Sequence, residues 1–177
     1  MPTNQTREVK YYFDQPFAST IVNLAREEDW RSLYDVGAGV GKYVTYFVDQ
    51  GIRTFGIDGL NDASARSGRL VDEVDLTGNE SWCHRVDVVM VLEVLEHIPS
   101  RFEHRVIDDV SCSASKRIIL SWAHKAQRGN GHINTRNAAD VVRLFESRGW
   151  RVHHNETSLL RRNSTFPWFK LNLFSFY

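Results

Sequence analysis

The chain of 177 residues alternates between two patterns of apolar and polar positions. Short, nearly continuous apolar runs are typical of strands buried on both faces of a parallel sheet. Longer runs with apolar residues three or four positions apart are typical of amphipathic helices. The alternation predicts an α/β fold with a mostly parallel sheet. Strands are predicted over residues 32–35, 52–57, 70–76, 86–92 and 117–122, and helices over residues 19–30, 40–50, 102–110 and 137–148.

The last part of the chain departs from this alternation. Residues 150–153 begin a predicted edge strand, after Gly149 ends the preceding helix in the left-handed conformation. Residues 166–177 alternate apolar and polar positions at first, which predicts a final strand. We expect these two segments to close the sheet as an antiparallel hairpin.

The most informative stretch runs from Ser32 to Tyr43, where an apolar run ends at Asp35 and three glycines follow at alternate positions. Glycine lets the backbone turn tightly and approach a ligand closely. The helix that follows presents unpaired backbone N–H groups at its N-terminus, and such groups bind ligands. A strand, a glycine turn and a helix in this order predict a nucleotide-type site.

The spacing of the glycines separates the nucleotide classes. The dinucleotide fingerprint of dehydrogenases, read from Gly37, needs glycine where this chain has Lys42. A phosphate-binding loop ending at Lys42 needs glycine in place of Val36 and a hydroxyl side chain in place of Tyr43. Because both fits are poor, the spacing disfavours a nicotinamide-dependent dehydrogenase and a nucleoside triphosphatase.

The string D-x-G-x-G-x-G resembles motif I of the class I S-adenosylmethionine-dependent methyltransferases. This resemblance implies that Asp35 binds the amino group of the methionine moiety. It also implies that Gly37, Ala38, Gly39 and Gly41 bring the backbone against the cofactor. The fold it implies is a Rossmann-like, mostly parallel seven-stranded sheet with helices on both faces and a C-terminal antiparallel hairpin. The alternative is a glycine-rich turn that binds no ligand.

Two further strand ends carry cofactor candidates. Asp58 lies about 20 positions beyond the glycine turn, where a carboxylate can accept hydrogen bonds from both ribose hydroxyls, and Gly59 follows it. In the methyltransferase family an acidic residue after the third strand often accepts a hydrogen bond from the adenine amino group, and its neighbour lines the adenine pocket. The resemblance therefore implies the first role for Asp75 and the second for Leu76. Leu92, at the end of the fourth strand, completes the candidates. A helix cap or a simple turn at Asp75 is the competing interpretation.

The sequence motif E-x-x-E-H follows the apolar run of residues 86–92. It places the carboxylates of Glu93 and Glu96 and the imidazole of His97 at the carboxyl edge of the sheet. This string resembles two groups of methyltransferases. One comprises small-molecule O-methyltransferases of the ubiquinone-pathway type. The other comprises metal-dependent small-RNA 2′-O-methyltransferases, in which two glutamates and two histidines hold a divalent ion. The later His132 completes that set.

The same four residues, Glu93, Glu96, His97 and His132, are therefore candidates for two roles. Without a metal they would orient or deprotonate the acceptor. With a metal they would be its ligands, and the ion would lower the pKa of an attacking hydroxyl. We favour the first role, because the same letters occur in many metal-free methyltransferases and a lone histidine after glycine is usually a loop residue.

Two flexible-looking segments flank the predicted cleft. The polar loop of residues 123–135, which includes His124, is long for its place, and long loops at the ligand edge are usually functional. Residues 1–18 form an N-terminal segment in which Tyr11, Tyr12 and Phe13 cluster near a proline. This cluster is either a lid over the cofactor, since aromatic faces attract a sulfonium cation, or a staple on the core, the interpretation we favour.

Composition limits the remaining choices. The 22 basic and 22 acidic residues balance, so no overall field attracts nucleic acid or an anionic membrane. No apolar run is long enough to cross a membrane. The two cysteines, Cys83 and Cys112, form no C-x-x-C pair, which favours buried thiols in a reducing compartment; a disulfide between them is left open. The expected location is the cytoplasm.

These observations predict one methyltransferase domain over residues 1–177, with S-adenosyl-L-methionine as cofactor. The expected acceptor is a hydroxyl of a small molecule. RNA methylation with a divalent metal is one alternative, and a non-catalytic subunit with a methyltransferase fold is the other. Neither the acceptor nor the oligomeric state follows from the sequence.

Overall fold

The computed structural model describes residues 12–177. These residues form a six-stranded sheet with helices on both faces. The strands are β1 (Ser32–Val36), β2 (Arg53–Asp58), β3 (Val71–Glu73), β4 (Val86–Leu92), β5 (Ala114–Ser121) and β6 (Leu173–Phe176). The helices are α1 (Gln15–Glu27), α2 (Lys42–Asp49), α3 (Ala63–Arg66), α4 (Ser100–Ser113), α5 (Ala138–Glu146), α6 (His154–Asn163) and α7 (Phe169–Asn172), with one 3₁₀ turn at Leu95–His97.

The strand order is β3-β2-β1-β4-β5-β6, and only β6 runs antiparallel to its neighbour. The prediction of seven strands is wrong. The expected edge strand at residues 150–153 is reduced to one bridge, between Val152 and Phe176. The side chain of His153 accepts a hydrogen bond from the backbone N–H of Glu156 and caps α6, so the chain turns into a helix before a strand can extend. The antiparallel hairpin at the C-terminus survives in this shortened form.

The strand predicted over residues 86–92 is confirmed as β4, in the middle of the sheet. Its central side chains are fully buried, and they alternate between two hydrophobic clusters on opposite faces. Val89 packs into one cluster and Met90 into the other. Both faces are therefore covered by helices, as expected of a continuous apolar run.

Two helices differ from prediction for local reasons. Helix α1 begins at Gln15 rather than at residue 19, because Asp14 caps its N-terminus and Pro16 occupies its first turn, where proline costs no hydrogen bond. Helix α6 was not predicted. Its sequence is mostly polar, and Leu160 is its only large apolar side chain that is fully buried, so the apolar periodicity is too weak to indicate a helix.

The two cysteines correct another expectation. Cys83 and Cys112 form a disulfide, and both residues are exposed rather than buried thiols. The bond joins the segment before β4 to the end of α4. No helix within residues 12–177 is long and apolar enough to cross a membrane.

A buried ion pair ties α6 to the sheet. The carboxylate of Glu156 accepts a hydrogen bond from Arg117 Nε on β5 at 3.1 Å and another from the hydroxyl of Ser175 on β6 at 2.5 Å. Glu156 is 4% exposed. Because a buried charge needs its partners, removal of this carboxylate leaves Arg117 with the more distant and half-exposed carboxylate of Glu28, at 3.7 Å.

We predict that Glu156→Ala lowers the free energy of unfolding by about 3 kcal/mol, the usual cost of breaking a buried ion pair. Urea denaturation measures the change. Glu146→Ala, at an exposed carboxylate on the neighbouring helix α5, is the matched control and should change stability by less than about 0.5 kcal/mol. Equal effects of the two substitutions would contradict a structural role for the buried pair.

Candidate functional site

The glycine turn between β1 and α2 is held in a conformation that suits glycine. Gly37 and Gly41 both have positive φ angles, of 79° and 77°. A Cβ atom on Gly37 would lie 2.2 Å from a methyl group of Val94, so a larger residue fits there neither by conformation nor by space. Helix α2 starts without a side-chain cap, which leaves backbone N–H groups at its N-terminus.

Asp58, at the end of β2, braces this turn. One carboxylate oxygen accepts the backbone N–H of Gly39 at 2.6 Å, and the other accepts that of Leu60 at 2.8 Å. The ends of β1 and β2 are paired in parallel, so both strands deliver their last residues to the same edge. The carboxylate therefore lies beside the glycine turn, as the sequence predicted.

Asp35, the other predicted strand-end carboxylate, lies in β1 and is 3% exposed. Burial, followed by the nearby charge of Asp58, raises the pKa of Asp35 to about 8. A ligand with a positive charge would lower the pKa of this buried carboxyl group again, since that charge stabilises the ionised form.

A cavity of about 910 Å³ opens over these residues and continues past the end of β4. Its volume is at the upper end of the roughly 300–1,000 Å³ range of small-molecule sites. Nine of the predicted site residues line it: Asp35, Gly37, Ala38, Gly39, Asp58, Leu92, Glu93, His97 and His132. The fold thus brings to one cavity predicted site residues that are as far apart in sequence as Asp35 and His132.

Five other candidates do not line this cavity. Gly41 is buried, and a Cβ atom there would lie 3.0 Å from Ser67, so its role is to let the turn pack. Gly59 is exposed, and Leu76 is buried in the hydrophobic core. Asp75 is exposed and bonds the N–H and hydroxyl of Thr77, which lower its pKa and form a simple turn. The fifth candidate, the buried Glu96, is described below.

Glu93 follows β4 directly and has a positive φ angle of 54°, which turns the chain away from the strand. Its carboxylate accepts hydrogen bonds from the side-chain amides of Gln127 and Asn172, both at 2.8 Å. Its backbone N–H donates to the hydroxyl of Ser121. Glu93 is therefore fixed by amide groups on the wall of the cavity. The sequence assigned no role to Asn172, because it lies 79 residues away on the C-terminal tail.

Glu96 lies behind this wall and is fully buried, with neither carboxylate oxygen hydrogen-bonded within the described part of the chain. The Nε2 atom of His132 lies 4.0 Å from its Oε1 atom. Burial, and secondarily the charge of Glu93, raises the pKa of Glu96 to about 8. A buried carboxyl group without partners is uncommon and indicates a functional site or a bound ion.

The two histidines present their Nε2 atoms in the same way. The Nδ1 atom of His97 is bonded to the carbonyl oxygen of Gly131 at 3.0 Å, and that of His132 to the carbonyl oxygen of Gln127 at 3.2 Å. A carbonyl oxygen only accepts, so each Nδ1 carries a hydrogen, and in the neutral form of either ring the lone pair is on Nε2. Ligand atoms of Glu96, His97 and His132 all lie within 4.8 Å of one another.

The loop that carries His132 is fixed by hydrogen bonds at its C-terminal end. The backbone N–H groups of Ile133 and Asn134 donate to the carbonyl oxygen of Glu96, both at 2.9 Å. The side chains of Asn134 and Arg136 donate to the buried carboxylate of Glu103 on α4. The long loop is thus not simply mobile: its last residues are fixed where they place His132 against Glu96. His124, by contrast, is not among the residues that line the cavity; its Nδ1 atom accepts from a loop N–H.

Aromatic residues form the remaining side of the cavity. Tyr12, Phe166 and Trp168 line it, and the last two come from the segment before α7. Sequence reasoning placed this segment in a strand and gave these rings no role. The first part of the predicted N-terminal cluster, including Tyr11, lies outside the described residues. Phe13 packs on the rings of Tyr43 and Tyr46, which agrees with a staple on the core.

Solved structures share this architecture. The magnesium protoporphyrin IX methyltransferase ChlM of Synechocystis PCC 6803, with bound SAH, aligns with a TM-score of 0.64 and 19% identity over 78% of this chain and 74% of its own. The sugar N-methyltransferase KedS8 of Streptoalloteichus aligns with a TM-score of 0.70 and 13% identity over 99% of this chain and 98% of its own. The fold is that of the class I S-adenosylmethionine-dependent methyltransferases.

The small-RNA methyltransferase HEN1 has the same methyltransferase fold, with a TM-score of 0.62 and 18% identity over 85% of this chain. The alignment spans only 24% of HEN1. The sequence matches no family model and no curated protein. At these identities the methyltransferase fold is shared and the acceptor is left open.

We predict that Glu96→Gln becomes progressively more stable than the wild-type protein as the pH rises from 5 to 8. In the wild type the folded state keeps a proton on Glu96 that the unfolded state releases above the ordinary carboxyl pKa, so stability falls as pH rises towards about 8. Glutamine has no such proton to lose. The expected gain at pH 8 relative to pH 5 is about 1–3 kcal/mol, by urea denaturation in EDTA.

The control for this experiment is Glu146→Gln, at an exposed position of α5. Its stability should follow the wild-type curve at every pH. A stability difference between Glu96→Gln and the wild type that does not change with pH would contradict a buried, proton-binding Glu96.

Proposed function

We propose that this protein is an S-adenosylmethionine-dependent methyltransferase and that residues 1–177 form one methyltransferase domain. The observation that carries the proposal is the pair Asp35 and Asp58 at neighbouring strand ends, beside a glycine turn that lines a large cavity. The methyltransferase fold supports it, because ligands of open α/β sheets bind at this edge.

In the proposed complex the cofactor lies across the glycine turn. The carboxylate of Asp35 accepts hydrogen bonds from the cationic amino group of the methionine moiety, and that of Asp58 accepts hydrogen bonds from the ribose hydroxyls. Gly37, Ala38 and Gly39 supply the backbone against which the cofactor packs. In this proposal the two carboxylates bind the amino-acid part and the nucleoside part of one ligand.

The proposed acceptor is a hydroxyl group of a small molecule bound beside Glu93 and His132. The methyl group sits on a sulfonium leaving group, so the protein has mainly to align the acceptor and exclude water. In this proposal His132 takes the hydroxyl proton at Nε2, the atom that lies 4.0 Å from Oε1 of Glu96. The O–CH₃ bond forms as the S–CH₃ bond breaks, and S-adenosylhomocysteine is released.

We predict that S-adenosylhomocysteine binds more tightly as the pH rises from 6 to 8. Asp35 must lose its proton to accept the ammonium group, and its pKa is raised to about 8, so each pH unit below that value weakens binding by up to about tenfold. Isothermal titration calorimetry measures the affinity. Asp35→Asn should bind weakly and with a flat pH profile.

Asp49→Asn, at an exposed carboxylate at the end of α2, serves as the control and should reproduce the wild-type profile. Failure of the wild-type protein to bind S-adenosylhomocysteine at any pH would contradict the enzyme proposal. That outcome would instead support a non-catalytic methyltransferase-fold subunit.

A second candidate function is metal-assisted methylation of a hydroxyl, of the kind that the sequence resemblance to the small-RNA enzymes implied. The residues present fit a divalent cation: the carboxylate of Glu96 has two oxygens without hydrogen-bond partners, Nε2 of His132 lies 4.0 Å from one of them, and a ring nitrogen of His97 lies within 4.8 Å of both ligand atoms. Backbone carbonyls bind the Nδ1–H of each histidine, as they commonly do behind metal ligands. Glu93 is bonded to amides and is not part of this three-residue cluster.

The ion would supply Lewis acidity and lower the pKa of an acceptor hydroxyl. Imidazole and carboxylate ligands suit manganese, cobalt or zinc better than magnesium. The protein's own contribution would be to hold three ligand atoms in place and to keep the histidine tautomers fixed. An RNA 3′ end would then become an acceptor to compare with small molecules.

We predict that the protein binds Co²⁺, as a spectroscopic probe, with visible absorption bands typical of nitrogen and oxygen ligands. His132→Ala and Glu96→Gln should each weaken Co²⁺ binding at least tenfold, because each removes a ligand atom. Glu93→Gln should leave the spectrum unchanged. Full methyl transfer in excess EDTA, without Co²⁺ binding, would leave the metal-free function as the only candidate.

A further inference from the structure

Three aromatic side chains, Tyr12, Phe166 and Trp168, form what we call the aromatic wall of the cavity. The rings of Phe166 and Trp168 stack with centroids 4.8 Å apart and planes at 24°. Tyr12 meets both rings edge-on at 5.9 Å, and 59% of it is exposed. Phe166 and Trp168 are partly buried and pack against the hydrophobic cluster beneath α1, and the surface they keep free lines the cavity beside the exposed Tyr12.

The aromatic wall is held in place by a buried carboxylate. Asp14 is 1% exposed, and one of its oxygens accepts the hydroxyl of Ser164 at 2.5 Å and the backbone N–H groups of Thr165 and Phe166 at 2.7 and 3.2 Å. Its own N–H donates to the hydroxyl of Tyr43 at 3.0 Å. The segment after Tyr12 and the segment before Trp168 are therefore joined, so the wall exists before a ligand binds.

The position of the wall assigns it to the acceptor rather than to the cofactor. The carbonyl oxygen of Trp168 accepts the backbone N–H of Asn172, one helical turn later in α7. The side-chain amide of Asn172 binds Glu93, beyond the end of β4. The wall is thus connected through α7 to Glu93, beside which the proposed function places the acceptor.

The loop that supplies Gln127, which binds Glu93, lines the cavity with polar rather than aromatic side chains. The loop residues that line the cavity are polar: Gln127, Arg128, Asn130 and His132, with Gly129 between them. Flat aromatic ligands stack on aromatic rings, and their attached polar groups bind side chains at the edge of the ring. A sugar also stacks on aromatic rings, through its C–H groups, and the binding experiment below separates that case from a flat aromatic ligand by comparing saturated and aromatic probes.

We propose that the methyl acceptor is a flat aromatic compound that carries a phenolic hydroxyl, stacked on the aromatic wall formed by Tyr12, Phe166 and Trp168. This inference rests on the proposed methyltransferase function and narrows its substrate class. The ring lies on the wall, and the hydroxyl at its edge points towards His132. The phenolic proton passes to His132 Nε2, the O–CH₃ bond forms, and the sulfonium becomes the neutral thioether of S-adenosylhomocysteine.

The binding experiment uses matched probes in the presence of saturating S-adenosylhomocysteine. Catechol and 2,3-dihydroxynaphthalene present two vicinal hydroxyls on an aromatic ring, and cis-1,2-cyclohexanediol presents the same hydroxyls on a saturated ring. By calorimetry we expect 2,3-dihydroxynaphthalene to bind at least tenfold more tightly than the saturated diol, with catechol between them. Labelled cofactor should transfer its methyl group to the aromatic probes alone.

Variants of the wall locate the effect. Trp168→Leu and Tyr12→Leu should weaken 2,3-dihydroxynaphthalene about tenfold, and Trp168→Phe should retain most of the affinity. Trp150→Leu, at a partly buried tryptophan that does not line this cavity, should change nothing. All four variants should bind S-adenosylhomocysteine within twofold of the wild type, which also shows that they fold.

Three results would overturn the acceptor proposal while the enzyme proposal stands. These are equal binding of the aromatic and saturated probes, no binding of any aromatic probe to a protein that binds S-adenosylhomocysteine, and loss of S-adenosylhomocysteine binding in Trp168→Leu. The last result would assign the wall to the sulfonium cofactor. If the wild type fails to bind S-adenosylhomocysteine, both proposals fall together, and that outcome is distinct from the other three.

Discussion

The hydrogen bond from the backbone of Gly39 to the carboxylate of Asp58 joins the two halves of the predicted cofactor site. It holds the glycine turn after β1 against the end of β2, and so it fixes both the turn and the carboxylate. Parallel pairing of the two strands makes this contact available, because their carboxyl ends meet at one edge. The charge of Asp58 in turn helps to keep the buried Asp35 protonated until a cation arrives.

The acceptor half of the cavity follows a similar logic with different groups. Amides from distant segments hold Glu93, and backbone carbonyls hold both histidines by their Nδ1 atoms. Glu96 has no hydrogen-bond partner for either carboxylate oxygen, at the point where the loop of residues 123–135 closes. The molecule therefore fixes most of the polar groups in this half and leaves one carboxylate and two imidazole nitrogens free for chemistry.

Sequence patterns predicted the parts of this architecture that depend on local order. The D-x-G-x-G-x-G turn, the buried strand β4 and Asp58 at the end of β2 were all found from apolar runs and the spacing of acidic residues. The parallel order of strands then brought Asp35 and Asp58 together, as expected. The methyltransferase fold was likewise expected from motif I.

The remainder depended on contacts between distant segments. The polar helix α6 follows the predicted edge strand of residues 150–153 and was not predicted, because it is held by the ion pair of Glu156 with Arg117 and lacks a clear apolar periodicity. Asn172 reaches Glu93 from the C-terminal tail, which no spacing rule indicates. Asp75 has the local pattern of an adenine ligand, but its carboxylate is used by the adjacent Thr77.

A crystal structure of the protein with S-adenosylhomocysteine would show whether Asp35 and Asp58 bind one ligand. We expect the ligand to cross the glycine turn, with its amino group at the carboxylate of Asp35 and its ribose hydroxyls at Asp58. A ligand bound elsewhere, or in the opposite orientation, would contradict this expectation. So would a complex in which Asp58 makes no contact with the ribose.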